Sequence, residues 1–300
     1  MQAIYIFAAM LLGVLFPHGH QFTFLVRYFL MIMLFYAFLR IRFDWRILSG
    51  QHLLVAGLNI LLPLFFFFLL RPVDMTLALA SFAIGITPTA AGAPVMATFL
   101  KTEVQFVTAS VILTSPLIAL VLPFILPLVA SIDESIDALS VLQPVAMLVF
   151  VPLVISQLIR RYLPKIIPWL HRLGNIPFYL FVTNVFIAAG KATQFIRHES
   201  EAPWFVLLGI AATVSIVGLI QFKVGEKLVG RRSFPIESGL ALGRKNTMFG
   251  LWVALTFLNP LVALGPIFYI VYQNLYNAWQ LYRLGRAESA EKMARAQTGV

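Results

Sequence analysis

Residues 82–100 read FAIGITPTAAGAPVMATFL, and residues 236–252 read IESGLALGRKNTMFGLW. Each stretch lies inside a long apolar segment, yet each contains residues that weaken a helix. The first has two glycines and two prolines within ten residues, and the second has three glycines around the polar run Arg-Lys-Asn. Proline removes a backbone hydrogen bond, and glycine favours unwinding. The sequence therefore predicts two interrupted helices.

The composition around these stretches is that of a membrane protein. The chain has 300 residues, of which 60% are hydrophobic and 11% are charged, against about 45–50% and about 25% in soluble domains. A chain with this composition has too few polar residues to form the water-exposed surface of a soluble protein. There are no cysteines, which excludes disulfides and thiolate chemistry.

Apolar segments long enough to cross a bilayer recur along the whole chain. We predict an all-α polytopic protein of ten transmembrane helices, since the apolar runs are too continuous for barrel strands. The predicted spans are 3–17, 22–41, 52–70, 75–100, 104–130, 139–160, 175–196, 203–222, 235–257 and 260–282. They form one domain over 1–283, with repeats of five spans each at about 1–131 and 139–283, followed by a cytoplasmic tail at 284–300. Because each half has an odd number of spans, the second half is inverted relative to the first.

The net charge of +10 is explained by the orientation of these spans rather than by binding to nucleic acid. Sixteen of the 22 basic residues fall on one side of a ten-span layout, and three fall on the other. The sixteen are Arg40, Arg42, Arg46, Lys101, Arg160, Arg161, Lys165, Arg172, Lys223, Lys227, Arg231, Arg232, Arg283, Arg286, Lys292 and Arg295. The opposite side also carries the acidic loop with Asp133, Glu134 and Asp137. By the positive-inside rule, both termini are cytoplasmic in a bacterial inner membrane or its equivalent.

The two interrupted helices occupy the fourth position of each predicted half. Broken helices at matching positions of inverted halves are typical of the central binding site of secondary transporters. A proline kink, or close packing of helices through small residues, is the alternative interpretation of either stretch alone.

Arg244 and Lys245 lie near the middle of the second interrupted span. A cation at that depth costs at least about 2.5–3.5 kcal/mol, and the nearest carboxylate in sequence, Glu237, is about two helical turns away. The charges must then be met by carbonyl groups, by water or by a bound anion. The alternative is that the span is shifted and both side chains extend toward the cytoplasm.

In these stretches and its last span, the chain resembles the bile acid:sodium symporter family and its bacterial and plastid relatives. The run PTAAGAP at 88–94 corresponds to the family's Pro-Gly-Gly-Thr-x-Ser-Asn type of motif, and ALGRKN at 241–246 corresponds to Glu-x-Gly-x-Gln-Asn. The stretch TFLNPLVALGPIFYIVYQN at 256–274 is similar to the family's last loop and span. The resemblance implies a core domain and a panel domain, with spans 4 and 9 crossing at the midplane of the membrane.

The chain departs from the family at the positions that hold sodium. The positions that correspond to side-chain ligands of the first sodium are Ala93, Pro94, Val107, Val111 and Ala241. None of these side chains offers an oxygen atom, so the resemblance implies that this sodium site is lost. The alternative is that the alignment around Val107 is shifted by one residue, which would place Thr108 at the site. Lys245 stands at the position of the glutamine of the second sodium site. The resemblance therefore implies a divergent member in which the ammonium of Lys245 replaces the coupling ion. Transport is then independent of sodium, by uniport, by exchange or by proton coupling through Lys245.

We predict a secondary transporter of a small organic anion, working by alternating access and using no cofactor or metal. The predicted substrate-binding residues are Thr87, Thr89, Arg244, Lys245, Asn246 and Thr247. For the two threonines, a bond to a carbonyl of their own helix is the alternative. A membrane sensor or assembly protein that keeps this fold without transport is the competing function. The sequence offers no catalytic carboxylate pair, Ser–base pair or metal cluster for an enzyme, and it does not determine the oligomeric state.

Overall fold

A computed structural model describes residues 2–41, 48–130, 137–198, 203–231 and 233–298. This part of the chain is helical and contains no β-strand, only an isolated bridge between two residues. Its helices are α1 (Gln2–Leu15), α2 (Leu25–Arg40), α3 (Gly50–Leu70), α4 (Met75–Gly85), α5 (Ala93–Phe99), α6 (Val104–Ala130), α7 (Ala138–Tyr162), α8 (Ile167–Arg172), α9 (Ile176–His198), α10 (Trp204–Val224), α11 (Pro235–Gly243), α12 (Thr247–Phe257) and α13 (Leu264–Thr298). Short 3₁₀ turns cover Pro17–Phe22 and Pro164–Ile166, and a π-helical turn covers Gly225–Val229.

In the part of the chain that the structure describes, five helical segments are long and apolar enough to cross a membrane, judged by length and composition. They are α3, α6, α7, α9 and α10 together with its π-helical turn. Many of their large apolar side chains are exposed on the outside of the protein, as expected of helices that face lipid rather than water. The chain is therefore an α-helical membrane protein.

Both interruptions that the sequence predicts are present. Helix α4 ends at Gly85 and α5 begins at Ala93, whereas α11 ends at Gly243 and α12 begins at Thr247. Pro94 stands in the first turn of α5, where proline is well tolerated because that turn needs no backbone donor. The side chain of Asn246 caps α12 by accepting a hydrogen bond from the backbone N–H of Phe249. Each broken segment thus restarts with a favourable helix beginning.

The helices can be described as two groups, which are joined where α6 packs on α7. In one, α1 lies against α9, and α2 lies against both α7 and α9. In the other, α3 lies against α4 and α6, while α10 packs on α11 and α13. Gly13 permits a close approach in the first group, because a Cβ there would lie 2.6 Å from the carbonyl oxygen of Phe186.

The last helix is longer than the predicted span 260–282. It begins at Leu264 and continues for 35 residues to Thr298, so most of the predicted tail is an extension of the same helix. Residues 299–300 of that tail lie outside the described residues. So do Arg42, Arg46 and Arg232 of the orientation signal, together with Asp133 and Glu134 of the acidic loop.

Candidate functional site

The two helix breaks meet through their backbones. The N–H of Ala90 donates to the carbonyl oxygen of Arg244 at 2.8 Å, and the N–H of Asn246 donates to that of Pro88 at 2.9 Å. These bonds form an antiparallel bridge centred on Thr89 and Lys245. Buried backbone groups released by a broken helix need new partners. Here each break supplies them to the other, and we refer to this junction as the crossing.

Lys245 points into the crossing and is fully buried. Its Nζ donates to the side-chain Oδ1 of Asn59, to the carbonyl oxygen of Gly85 at 2.7 Å and to that of Thr87 at 3.4 Å. An ammonium group has three donors, and each one has an acceptor. The alternative in which Lys245 extends toward the cytoplasm is therefore wrong.

The partners of Lys245 form a cage of neutral oxygen atoms. Asn59 comes from α3, whereas the two carbonyls come from the end of α4 and the residues just after it. Asn59 Nδ2 also donates to the carbonyl oxygen of Thr87 at 3.1 Å, which fixes the orientation of the amide. Oxygen atoms of carbonyl and amide groups are the ligands that hard cations prefer. An ammonium group thus occupies a site whose chemistry suits a small cation.

Arg244 has the opposite character, since its charge is not matched. Its side chain is partly buried, and the buried Nε and Nη1 atoms have no hydrogen-bond partner among the described residues. Its Nη2 would lie 3.9 Å from a Cβ at Gly92, so the guanidinium stands beside the first break. An unpaired buried guanidinium is costly and is suited to an anion that can accept several of its hydrogen bonds.

A cavity of about 410 Å³ opens next to this guanidinium. Its walls come mainly from the second half of α2, from α5 and the residues before it, and from the start of α6. Most of its lining side chains are apolar, with Asn246 near the crossing and Arg40 at the end of α2. Gly92 also lines it, which places Arg244 directly behind the wall. A small anion with an apolar part fits this arrangement.

Thr87 and Thr89 are both fully buried, and neither lines this cavity. The hydroxyl of Thr87 donates to the carbonyl oxygen of Ile84 at 2.9 Å. The hydroxyl of Thr89 donates across the crossing to the carbonyl oxygen of Ala241 at 2.6 Å. For Thr87 the structure has the bond to its own helix that the sequence left as the alternative. The hydroxyl of Thr89 therefore joins the two breaks, whereas that of Thr87 stays within the first.

Asn246 and Thr247 lie at the start of α12. Asn246 lines the cavity, and its Oδ1 accepts from the N–H of Phe249 at 3.3 Å. Thr247 is buried as the first residue of that helix. Of the six predicted binding residues, Asn246 therefore lines the cavity and Arg244 adjoins it. Thr87, Thr89 and Lys245 belong to the crossing, and Thr247 is buried at the start of α12.

The five positions that the resemblance aligns with ligands of the first sodium are apolar, and four of them are buried. Ala93, Val107, Val111 and Ala241 are all buried in hydrophobic clusters, and Pro94 lines the cavity. The carbonyl oxygen of Ala241 accepts the hydroxyl of Thr89.

Two contributors to the site were not predicted. Asn59 is the single polar side chain of α3 beyond its first turn, and a polar residue at such a position is itself a signal of a buried partner. Tyr269 of α13 donates its hydroxyl to the carbonyl oxygen of Gly243 at 2.5 Å. That carbonyl is at the end of α11, where the last carbonyls of a helix lack partners.

No model of a known protein family matches the chain, and no curated protein matches it either. The resemblance to the bile acid:sodium symporter family therefore stays a prediction.

Proposed function

We propose that the chain is a secondary transporter of a small organic anion that works by alternating access without sodium. The observation that carries the proposal is the guanidinium of Arg244, whose buried nitrogen atoms lack partners among the described residues and which lies next to a cavity and beside two helix breaks. An ionisable group at such a depth is a functional-site candidate in its own right. A purely structural role does not explain this arginine, because an unpaired buried charge lowers the stability of the fold.

The proposed framework has ten spans in two inverted halves, with both termini in the cytoplasm. In it, α4 with α5 and α11 with α12 each form one broken span, supported by their apolar composition and by the backbone bridge that joins them. The group α1, α2, α7 and α9 acts as the panel, and the other membrane helices act as the core. The cavity lies between α2 of the panel and α5 of the core, where relative motion of the two groups would open and close it.

Lys245 serves as the fixed replacement for a coupling ion. In a sodium-coupled protein, the charge at a crossing of this kind appears only when the ion binds. Here a covalently attached ammonium already fills an oxygen cage formed by Asn59, Gly85 and Thr87. The positive charge near the substrate is therefore supplied by the chain itself, and flux needs no sodium gradient.

Arg244 and Asn246 would bind the anion from the core side. The guanidinium has two nitrogen atoms, Nε and Nη1, without a partner among the described residues, and Asn246 lines the cavity. The apolar walls would hold the rest of the substrate and exclude water, which strengthens the charge interaction. Retention of a carboxylate or similar group then depends on one cation rather than on a metal.

The test is flux of a panel of organic anions in proteoliposomes, with sodium or choline as the cation and with or without a pH gradient. We expect at least one anion to be transported equally in both cations. Arg244→Gln should reduce its flux at least about tenfold, since one charged hydrogen-bonding partner is worth about 1.5–3 kcal/mol. Arg172→Gln is the matched control, because Arg172 is an exposed arginine of α8 outside the cavity.

Two results would contradict the proposal. Flux that stops without sodium would reject the role of Lys245. A folded protein that binds an anion without transporting any would favour the membrane sensor or assembly protein instead.

A further inference from the structure

A second pocket, which shares no lining residue with the first, lies where the apolar runs of α10 and α13 end. It encloses about 320 Å³ and is lined by side chains of α10, α11 and α13, by Glu226 of the π-helical turn and by Leu100 at the end of α5. Three of these, Lys223, Trp279 and Arg283, combine cations with an aromatic ring. In chain order they follow long apolar runs, which is where a helix passes from lipid tails to headgroups.

The cations of this pocket are held in fixed positions. Lys223 Nζ lies 5.5 Å from the ring centre of Trp279 and forms a 2.7 Å ion pair with Glu226. Arg283 contacts the same ring, with its guanidinium carbon 5.0 Å from the ring centre. Among the side chains that the structure describes, no carboxylate pairs with Arg283. The pocket therefore carries an unmatched positive charge, in a geometry organised by an aromatic ring.

Gln280 provides the second, independent sign of a ligand. Its side chain is only 9% exposed and lines the same pocket, yet its Oε1 has no hydrogen-bond partner among the described residues. Buried amide oxygens are rarely left unpaired. A ligand that brings a hydroxyl donor next to an anionic group would satisfy both Gln280 and Arg283.

An apolar groove continues from this pocket along the outside of α10. Its apolar lining is Leu219, Ile220, Val224 and Leu228. Lys227 also lines it, and it shares Lys223 with the pocket. Leu219 and Leu228 are exposed, so they would lie against hydrocarbon in a bilayer. A cationic pocket joined to an apolar groove at one lysine has the shape and polarity of a phospholipid, with a phosphate at the junction.

We propose that this pocket is a binding site for an anionic phospholipid of the bilayer with a hydroxyl-bearing headgroup, such as phosphatidylglycerol. The phosphate lies between Lys223 and Arg283, a headgroup hydroxyl donates to Gln280 Oε1, and an acyl chain follows the groove on α10. Basic pockets at the cytoplasmic ends of membrane helices bind acidic headgroups by this chemistry. The site is separate from the crossing, so it stands whether or not the chain transports an anion.

The test is native mass spectrometry of the purified full-length protein titrated with phosphatidylglycerol, phosphatidic acid or phosphatidylcholine. We expect phosphatidylglycerol to bind and phosphatidylcholine to bind at least about tenfold more weakly. The double variant Lys223→Gln/Arg283→Gln should weaken phosphatidylglycerol about 30-fold, because each cation near the surface contributes about 1 kcal/mol. The control Lys165→Gln/Arg172→Gln removes two exposed basic residues elsewhere and should leave binding unchanged.

Further arms test whether the ligand is the whole lipid, including its glycerol headgroup. Gln280→Leu should weaken phosphatidylglycerol but not phosphatidic acid, whose headgroup lacks the glycerol, and it gives a readout even if the double variant does not fold. Glycerol 1-phosphate at millimolar concentration should fail to displace the lipid. Equal binding of phosphatidylcholine, an unchanged double variant, an equal loss in the control, or displacement by glycerol 1-phosphate alone would each overturn the assignment.

Discussion

Replacing Lys245 with methionine tests whether the ammonium at the crossing stabilises the fold. Methionine has a similar length and no charge, so the change removes the donor while keeping most of the packing. Three oxygen atoms now accept from Lys245 Nζ. The carbonyl oxygen of Thr87 keeps the amide of Asn59 as a donor, but Asn59 Oδ1 and the Gly85 carbonyl lose theirs.

The magnitude follows from these two oxygen atoms. A buried acceptor left without a donor costs about 1–3 kcal/mol, so Lys245→Met should lower the free energy of unfolding by about 2–6 kcal/mol. The melting temperature of a large domain falls by about 2–4 °C per kcal/mol, and the expected decrease is at least about 4 °C. Removing the ammonium also removes the free-energy cost of burying its charge, which would raise the stability of the variant. The sign of the measured change shows which of the two effects is larger.

The assay is thermal unfolding in detergent followed by intrinsic tryptophan fluorescence. Lys165→Met, at an exposed position between α7 and α8, is the control and should melt like the wild type. Lys245→Ala adds a second readout, because it empties the oxygen cage. Sodium at about ten times its dissociation constant would stabilise this variant by about 1.4 kcal/mol, while choline would not.

The reasoning is refuted if Lys245→Met melts at or above the wild-type temperature. In that case the buried charge destabilises the protein, and the presence of a lysine at this position would have to be explained by its function alone. An absence of any sodium effect on Lys245→Ala, in a variant that still folds, would separately show that the cage does not suit the ion.

Two further predictions concern the packing around the crossing. Gly243→Ala should destabilise the protein by about 1–3 kcal/mol, because a Cβ there would lie 2.3 Å from the ring of Phe222. The control Gly57→Ala should not destabilise it, because a Cβ there would have no atom within 4 Å. Equal melting temperatures of the two variants would contradict this prediction. Tyr269→Phe should cost about 1–3 kcal/mol, since it leaves the buried carbonyl of Gly243 without its donor, and an unchanged melting temperature would show that water replaces the hydroxyl.

The sequence predicted the helix breaks because their causes are local. Glycine and proline act through their own backbone geometry, so residues 82–100 could be interpreted without knowing the fold. The presence of proline alone, however, does not predict a helix break. Helix α6 continues through Pro116, Pro123 and Pro127, since neighbouring helices can compensate for one missing hydrogen bond at a time.

The site was harder to predict because its partners come from distant parts of the chain. The length and charge of Lys245 indicated a buried role, but they did not identify Asn59, which lies 186 residues away in sequence. The threonine hydroxyls were ambiguous for a similar reason. Whether Thr89 bonds a ligand or the carbonyl of Ala241 depends on how α11 approaches it, which is a property of the packing and not of the local sequence.

The backbone bridge at the crossing has a consequence for how such a protein can change. Its two hydrogen bonds, from Ala90 to Arg244 and from Asn246 to Pro88, use main-chain atoms alone, so they place almost no demand on which side chains stand at these positions. Side chains around the junction can then be exchanged over evolutionary time while the two broken helices stay joined. A site built this way can lose one kind of ion chemistry and acquire another without first losing its architecture.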